Sequence, residues 1–487
     1  MTTEYVDIMI VGAGLSGIGA AYHLQNKCPG KSYTILEGRS AMGGTWDLFR
    51  YPGIRSDSDM QTLGYNFKPW REEKAIADGP SILRYVKEAA VENNIDKHIR
   101  YGQLVTKASW STEDATWTVE TQCTDTGGID HFKCNFLLMC AGYYSYEGGY
   151  DPSFSGRERF KGEIVHPQKW PENFNFQGKK VVIIGSGATA VTLLPEIAKK
   201  AEHVVMLQRS PTYYLSLQDK DVIANILRKI LPEQWAYAIT RWKNIARQQL
   251  FYHLTRTHPE KIKQYLLKMV QKQLGKDYDV ETHFTPTYHP WDQRLCIVPN
   301  NDLFKAIKSG RASVVTGHID RFNEVGVELT SEETIEADIV VTATGLNLVV
   351  LGGAVFDVDG KTVEFPNTYT YKGMMCSGVP NLISTFGYIN ASWTLHADLI
   401  AEYACNLINH MDKTGLRQCT PQLRDEDKNM PERPWIEDFS SGYLQRALHL
   451  LPKQGSHEPW TNPQNYRKDK KMIQKNPIED GVLVFES

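Results

Sequence analysis

Two short apolar runs, each followed by a turn of small residues and then by apolar residues at helical intervals, organise the chain. The first run is Ile8 to Val11; Gly12, Gly14 and Gly17 follow, and Ile18, Ala21 and Leu24 continue three or four residues apart. The second is Val181 to Ile184, with Gly185, Gly187 and Ala190 as the small residues and Val191, Leu194 and Ile197 behind them. Strand, turn and helix are predicted at both places. In such a turn the first small residue makes the bend, the second lets a pyrophosphate approach the backbone, and the third lets helix and strand pack closely. The phosphates would rest on free amides at the positive helix end. The second turn, Gly185-Ser186-Gly187-Ala188-Thr189-Ala190-Val191, is thus read as a phosphate cradle, with Ser186 no hydrolase nucleophile because no GxSxG elbow surrounds it.

The second strand of each unit sets the nucleotide. Ser32 to Leu36 ends at Glu37, 20 residues after Gly17, where a carboxylate accepts hydrogen bonds from a ribose and repels a 2′-phosphate. The corresponding strand of the second unit ends in Gln208-Arg209-Ser210, and Arg209 lies 19 residues after Ala190. Arginine and a hydroxyl suit a 2′-phosphate. Two sites of opposite ribose preference indicate a flavin dinucleotide and NADPH. The expected fold class is α/β, with two Rossmann-like dinucleotide-binding domains.

Composition adds exclusions. The 487 residues are 41% hydrophobic and 23% charged with a net charge of −3, ordinary for a globular chain of two or three units and too balanced for a nucleic-acid protein. Eight cysteines form no CxxC, so reduced thiols are expected and a disulfide reductase, which needs a cysteine pair near its flavin, is disfavoured. Glu4 and Asp7 open the chain where a signal peptide would be basic, so a cytoplasmic protein is expected. The uncharged stretch from Ile339 to Phe356 contains Thr342, Thr344, Gly345, Asn347, Gly352 and Gly353, which favours a buried strand and glycine turn over a membrane span.

Further motifs carry a resemblance. Gly43-Gly44-Thr45-Trp46-Asp47-Leu48 leads to Tyr51-Pro52-Gly53 and Asp57; Phe160-x-Gly162-xxx-His166-xxx-Trp170-Pro171 lies between the two turns; Ala343-Thr344-Gly345 follows the apolar strand. With both dinucleotide turns, these make the chain resemble the class B flavoprotein monooxygenases, and within them the Baeyer–Villiger enzymes, nearly end to end. The resemblance implies an NADPH- and O2-dependent conversion of ketones to esters or lactones through a C4a-peroxyflavin, with oxidation of sulfides or thioamides beside it. The alternative is a heteroatom oxygenase. Implied partners are O2 and a small apolar ketone or sulfide. Implied flavin contacts are Ser16, Thr45, Trp46, Asp47, Leu48, Arg55, Ser56, Asp57 and Val105, and the segment Gly387 to Ser392 would aim a helix N-terminus at the flavin. Arg294 is implied as the fixed cation beside the reacting oxygen, with Asp57 orienting it. Where cyclic-ketone enzymes carry Lys-Arg, this chain has Gln293-Arg294. Phe160, His166 and Trp170 are implied as a hinge; His283 and His289 have no neighbours at metal-ligand spacing and no metal is expected.

The implied domains are residues 1–145 and 335–487 for FAD, 146–215 and 285–334 for NADPH, and a helical insertion at 216–284. Residues 220–276 carry 12 Lys/Arg against 3 Asp/Glu, and Ile223, Ile226, Leu227 and Ile230 recur at helical spacing. The insertion is read as a lid over an apolar tunnel, with peripheral membrane contact as a further option.

Overall fold

The computed structural model describes residues 4–437 and 439–487. The first unit is a parallel sheet in the order Ile99–Tyr101, Tyr33–Glu37, Glu4–Val11, Ile129–Met139, with Leu382–Ser384 beside the last. An antiparallel meander, Gln103–Ser111 and Thr116–Cys123, joins the same sheet. The helix Leu15–Lys27 packs on it through Gly17, where a Cβ would lie 1.8 Å from the Gly12 carbonyl oxygen. Only glycine allows that approach.

The second unit is a five-stranded parallel sheet ordered Ala312–Thr316, His203–Gln208, Lys180–Ile184, Ile339–Thr342, Glu163–Val165. Its extent differs from the expected end at 334. Ile339, Val340 and Val341 are no more than 1% exposed and pair with strands on both sides. A run apolar on both faces needs the interior of a parallel sheet, and the second unit offers that place. The uncharged stretch therefore begins as a strand of the NADPH-side sheet. No helix among the described residues is long and apolar enough to cross a membrane.

Two crossings link the units side by side, since Leu346–Leu348 pairs antiparallel with Tyr144–Gly149. The His166 ring packs there, so close that a Cβ on Gly149 would lie 2.0 Å from it. Its Nδ1 accepts from the Gln168 amide at 3.2 Å, and burial holds its pKa below the ordinary value. The first unit also leans on the second at Gly53 (φ +77°), where a Cβ would meet the Glu196 side chain at 2.4 Å.

The insertion comprises helices Val222–Ile230, Glu233–Thr257, Pro259–Leu274 and Val280–Phe284. The longest is anchored by a buried arginine. Arg241 Nη1 donates to the carbonyls of Gln61, Thr62 and Gly64 at 2.9, 3.2 and 2.7 Å, and Nη2 pairs with Asp398 at 3.3 Å. It thereby satisfies carbonyls at the end of the short helix Met60–Leu63. Asn244 and Gln248 donate to Asp59 at 2.9 and 2.8 Å, tying the same segment down again. Arg241→Met should leave Asp398 with His23 alone and the Gln61 and Gly64 carbonyls without this donor, at a cost of about 3–5 kcal/mol. Thermal unfolding followed by circular dichroism should show a lowered midpoint; an unchanged midpoint would mean that the anchor is dispensable.

Candidate active site

Both glycine-rich turns open into one cleft of about 1430 Å³ between the two sheets. Gly12, Gly14 and Ser16 form part of one wall, and Gly185, Ser186, Gly187, Ala188 and Thr189 part of the other. Helices Leu15–Lys27 and Ala188–Ile197 start there without a side-chain cap. Each leaves backbone N–H groups and the positive helix end facing the cleft, the donor set that two pyrophosphates require. Glu37 borders the first cradle and accepts from the amides of Ala13 and Arg39 at 2.8 and 3.0 Å; burial raises its pKa. Arg209 borders the second cradle and is exposed. The chemistry of the walls fits FAD on one side and NADPH on the other.

Where the walls meet, Arg294 Nε donates to Asp57 Oδ2 at 2.9 Å. Both side chains keep part of their surface open, 33% and 28%. The carboxylate holds the guanidinium well above its ordinary pKa, so Arg294 carries its charge at every working pH. Asp57 is free for this partnership because Asp59 caps the helix Met60–Leu63, accepting from the Thr62 amide at 3.1 Å. Tyr143, Tyr144 and Tyr443 surround the pair along the cleft. Tyr143 and Tyr144 hydroxyls lie 2.7 Å apart. Burial, with the neighbouring Tyr144, pushes Tyr443 up to about 12, against the opposing pull of Arg294.

The other expected residues divide. Thr45, Trp46, Arg55, Ser56, Val105 and Ser210 line the cleft. Gly17, Asp47, Leu48, Ala190 and Val191 are not on the cleft wall. Gly17 lies beneath its turn, Ala190 and Val191 are in the core, and Asp47 is spent on Arg39 at 2.7 Å. Arg55 borders the cleft but pairs with Asp302 of the second unit, so part of its expected flavin role goes to joining the units. Val105 lies within the strand Gln103–Ser111. The helix Trp393–Thr414 starts at the cleft as expected, and Trp393 Nε1 donates to Ser16 Oγ at 2.7 Å. His283 and His289 bond Thr316 Oγ1 at 3.0 Å and Glu260 at 3.5 Å, respectively.

Sequence reasoning missed Arg39, Tyr143, Tyr144, Trp393, Tyr443 and Arg446, all on the cleft wall. A signal existed for Tyr143 and Tyr144, which follow the carboxyl end of the strand Ile129–Met139, where ligands of open α/β sheets bind. None existed for Tyr443 or Arg446, which reach the site from the short helix Gly442–Gln445 and its C-terminal end. No residue of the four insertion helices borders the cleft either.

Similarity to known proteins is decisive at this point. Residues 75–374 match the family described as Flavin-binding monooxygenase-like, and residues 10–72 match an NAD(P)-binding Rossmann-like domain. The chain belongs to the flavin-binding monooxygenase family. It is 52% identical to the FAD-containing monooxygenase EthA of Mycobacterium tuberculosis over 99% of this chain and 98% of that one. With a probable FAD-binding monooxygenase, AlmA, of Acinetobacter baylyi it shares 46% identity over 99% and 96%. In fold it matches an oxidised steroid monooxygenase bound to NADP, with TM-score 0.79 and 22% identity over 99% of this chain and all of that one. An open cyclohexanone monooxygenase follows at TM-score 0.78 and 19% identity, covering both chains completely. The protein is thus a class B flavoprotein monooxygenase, and its cofactors are FAD and NADPH.

The role expected of Arg209 at a 2′-phosphate is open to test. Arg209→Ala should remove a charged contact worth about 1.5–3 kcal/mol to a 2′-phosphate, raising KM for NADPH by about tenfold while leaving KM for NADH nearly unchanged. Steady-state NADPH and NADH oxidation measures it; equal losses for both would assign the 2′-phosphate to another residue.

Proposed function

We propose that this monooxygenase inserts oxygen beside the carbonyl of apolar ketones, giving esters or lactones at the expense of NADPH and O2. The observation that carries the reading is the Arg294–Asp57 pair at the point where both dinucleotide cradles open into one cleft. Structural relatives named for steroid and cyclohexanone oxygenation support a ketone substrate. Bound flavin, once reduced by NADPH, supplies the oxygen-transfer chemistry; what this chain adds is charge, orientation and dryness.

Arg294 offers a permanent cation with several donors, suited to an oxyanion developing on the substrate carbonyl. Asp57 engages Nε, and the Tyr443 hydroxyl meets the same guanidinium on the cleft wall. Gln293, also on the wall, places a neutral amide beside Arg294. The phenols of Tyr143, Tyr144 and Tyr443 line the approach and stay protonated, since burial raises all three. Those proton donors suit oxygen transfer to sulfur as well, so sulfide or thioamide oxidation at the same site is the second reading.

Arg294→Ala should lower ester formation by about 10²-fold or more, the scale of one lost oxyanion donor. FAD should stay bound and anaerobic flavin bleaching by NADPH should persist, with hydrogen peroxide replacing ester on admission of air. Substantial ester from the variant sinks the role of Arg294; loss of FAD recasts it as structural.

Offering the wild-type enzyme a ketone that also bears a thioether separates the two reactions. Ester as the main product supports the first reading. Sulfoxide alone supports the second and overturns the first.

A further inference from the structure

The insertion presents its amphipathicity the wrong way round for a helix in water. On Glu233–Thr257 the buried face holds Thr240, Arg241 and Asn244 beside Ala236 and Tyr237, all no more than 7% exposed, while Trp235, Ile239, Trp242 and Leu250 stand 68%, 42%, 72% and 59% exposed. Those four lie on one stripe, at helical intervals of three, four and eight residues. The adjoining helix Val222–Ile230 adds Ile223, Ile226 and Ile230 at 52%, 52% and 69%. Buried polar groups on the inner face are explained by the anchor on Asp59 and Asp398. Nothing within the described residues covers the outer stripe.

Charge identifies what would cover it. Residues 220–276 hold 12 Lys/Arg and 3 acids within a chain of net −3, and Lys220, Arg241 and Arg256 pair with Glu73, Asp398 and Asp292 from elsewhere in the chain. Each acid is already engaged: Asp221 with Lys243 at 2.8 Å, Glu233 with Arg71 at 2.7 Å, Glu260 with His289 at 3.5 Å. Lys229 and Arg247 are exposed beside the apolar stripes. On Pro259–Leu274 the exposed Tyr265 stands between the exposed Lys261, Lys268 and Lys272 at helical spacing. Exposed tryptophans among lysines and arginines match a membrane interface, where rings sit at headgroup depth and cations meet acidic lipid. A second copy of the chain would oppose two faces of the same sign.

We propose that the outer face of helices Val222–Ile230, Glu233–Thr257 and Pro259–Leu274 docks this enzyme on an anionic lipid surface, lying on the membrane without crossing it. The docking surface lies on the insertion, none of which borders the cofactor cleft, so the proposal stands apart from the substrate reading.

The test is co-sedimentation of the FAD-loaded, full-length enzyme with vesicles of phosphatidylcholine alone and of phosphatidylcholine with phosphatidylglycerol. Binding to the anionic vesicles should be at least about tenfold stronger and should fade as salt rises. The double variant Trp235→Gln/Trp242→Gln should lose at least about tenfold of that binding. Its FAD content and NADPH oxidation in solution should match the wild type, which shows that the variant is folded. Equal binding to both vesicle types, or unchanged binding by the folded variant, overturns the proposal. Concentration-dependent self-association of the wild type that the same variant abolishes also overturns it, by assigning the face to a second copy.

Discussion

The ion pair between Arg294 and Asp57 is the constraint on which this molecule turns. Its partners are 237 residues apart and belong to different dinucleotide units, yet they meet at 2.9 Å beside the shared cleft. A guanidinium placed there is useful only if it stays charged, stays oriented and keeps donors free. Asp57 meets the first two needs while occupying only Nε of the guanidinium. Much of the surrounding structure serves that placement. Asp59 takes over the helix cap, leaving Asp57 uncommitted; Arg55 fastens the same segment to Asp302; and Gly53 lets it settle against Glu196.

The insertion enters this scheme from the side. Through Arg241, Asn244 and Gln248 it holds residues 59–64, directly after Asp57. A helix without contact to the cofactor cleft thus still bears on the geometry of the ion pair. The polar inner face that makes this possible displaces the helix's apolar residues outward. One feature of the sequence, an apolar stripe on the wrong side of a buried polar one, therefore has two consequences: a firm segment under Asp57, and an exposed basic and aromatic surface.

The two crossings between the units, Tyr144–Gly149 and Leu346–Leu348, bind to each other as a short antiparallel pair with the neutral His166 ring packed beside them. Arg446 stacks on Tyr150 at 3.7 Å and donates to the Leu346 carbonyl at 3.3 Å, joining both crossings from the C-terminal part of the chain. The chain passes between the two units through these few residues, and His166 of the signature Phe160 to Pro171 packs against them.

Local chemistry was legible in the sequence. Strand, glycine turn and helix at residues 8–24 and 181–197 follow from short-range sterics, and the ribose preference of each site follows from one side chain at one spacing, Glu37 and Arg209. The motif from Gly43 to Asp57 and the Ala343-Thr344-Gly345 turn carried the family, and with it FAD and NADPH. What the tertiary structure alone decided lies in pairings across long separations. It placed Ile339–Thr342 inside the second sheet, diverted Arg55 to Asp302, withdrew Asp47 from the cleft to Arg39, and brought Tyr443 and Arg446 to the wall from 149 and 152 residues beyond Arg294. It also turned the hydrophobic stripe of the insertion outward. Periodicity in a sequence states which residues share a face of a helix or strand; which way that face points is set by the partners that packing brings against it.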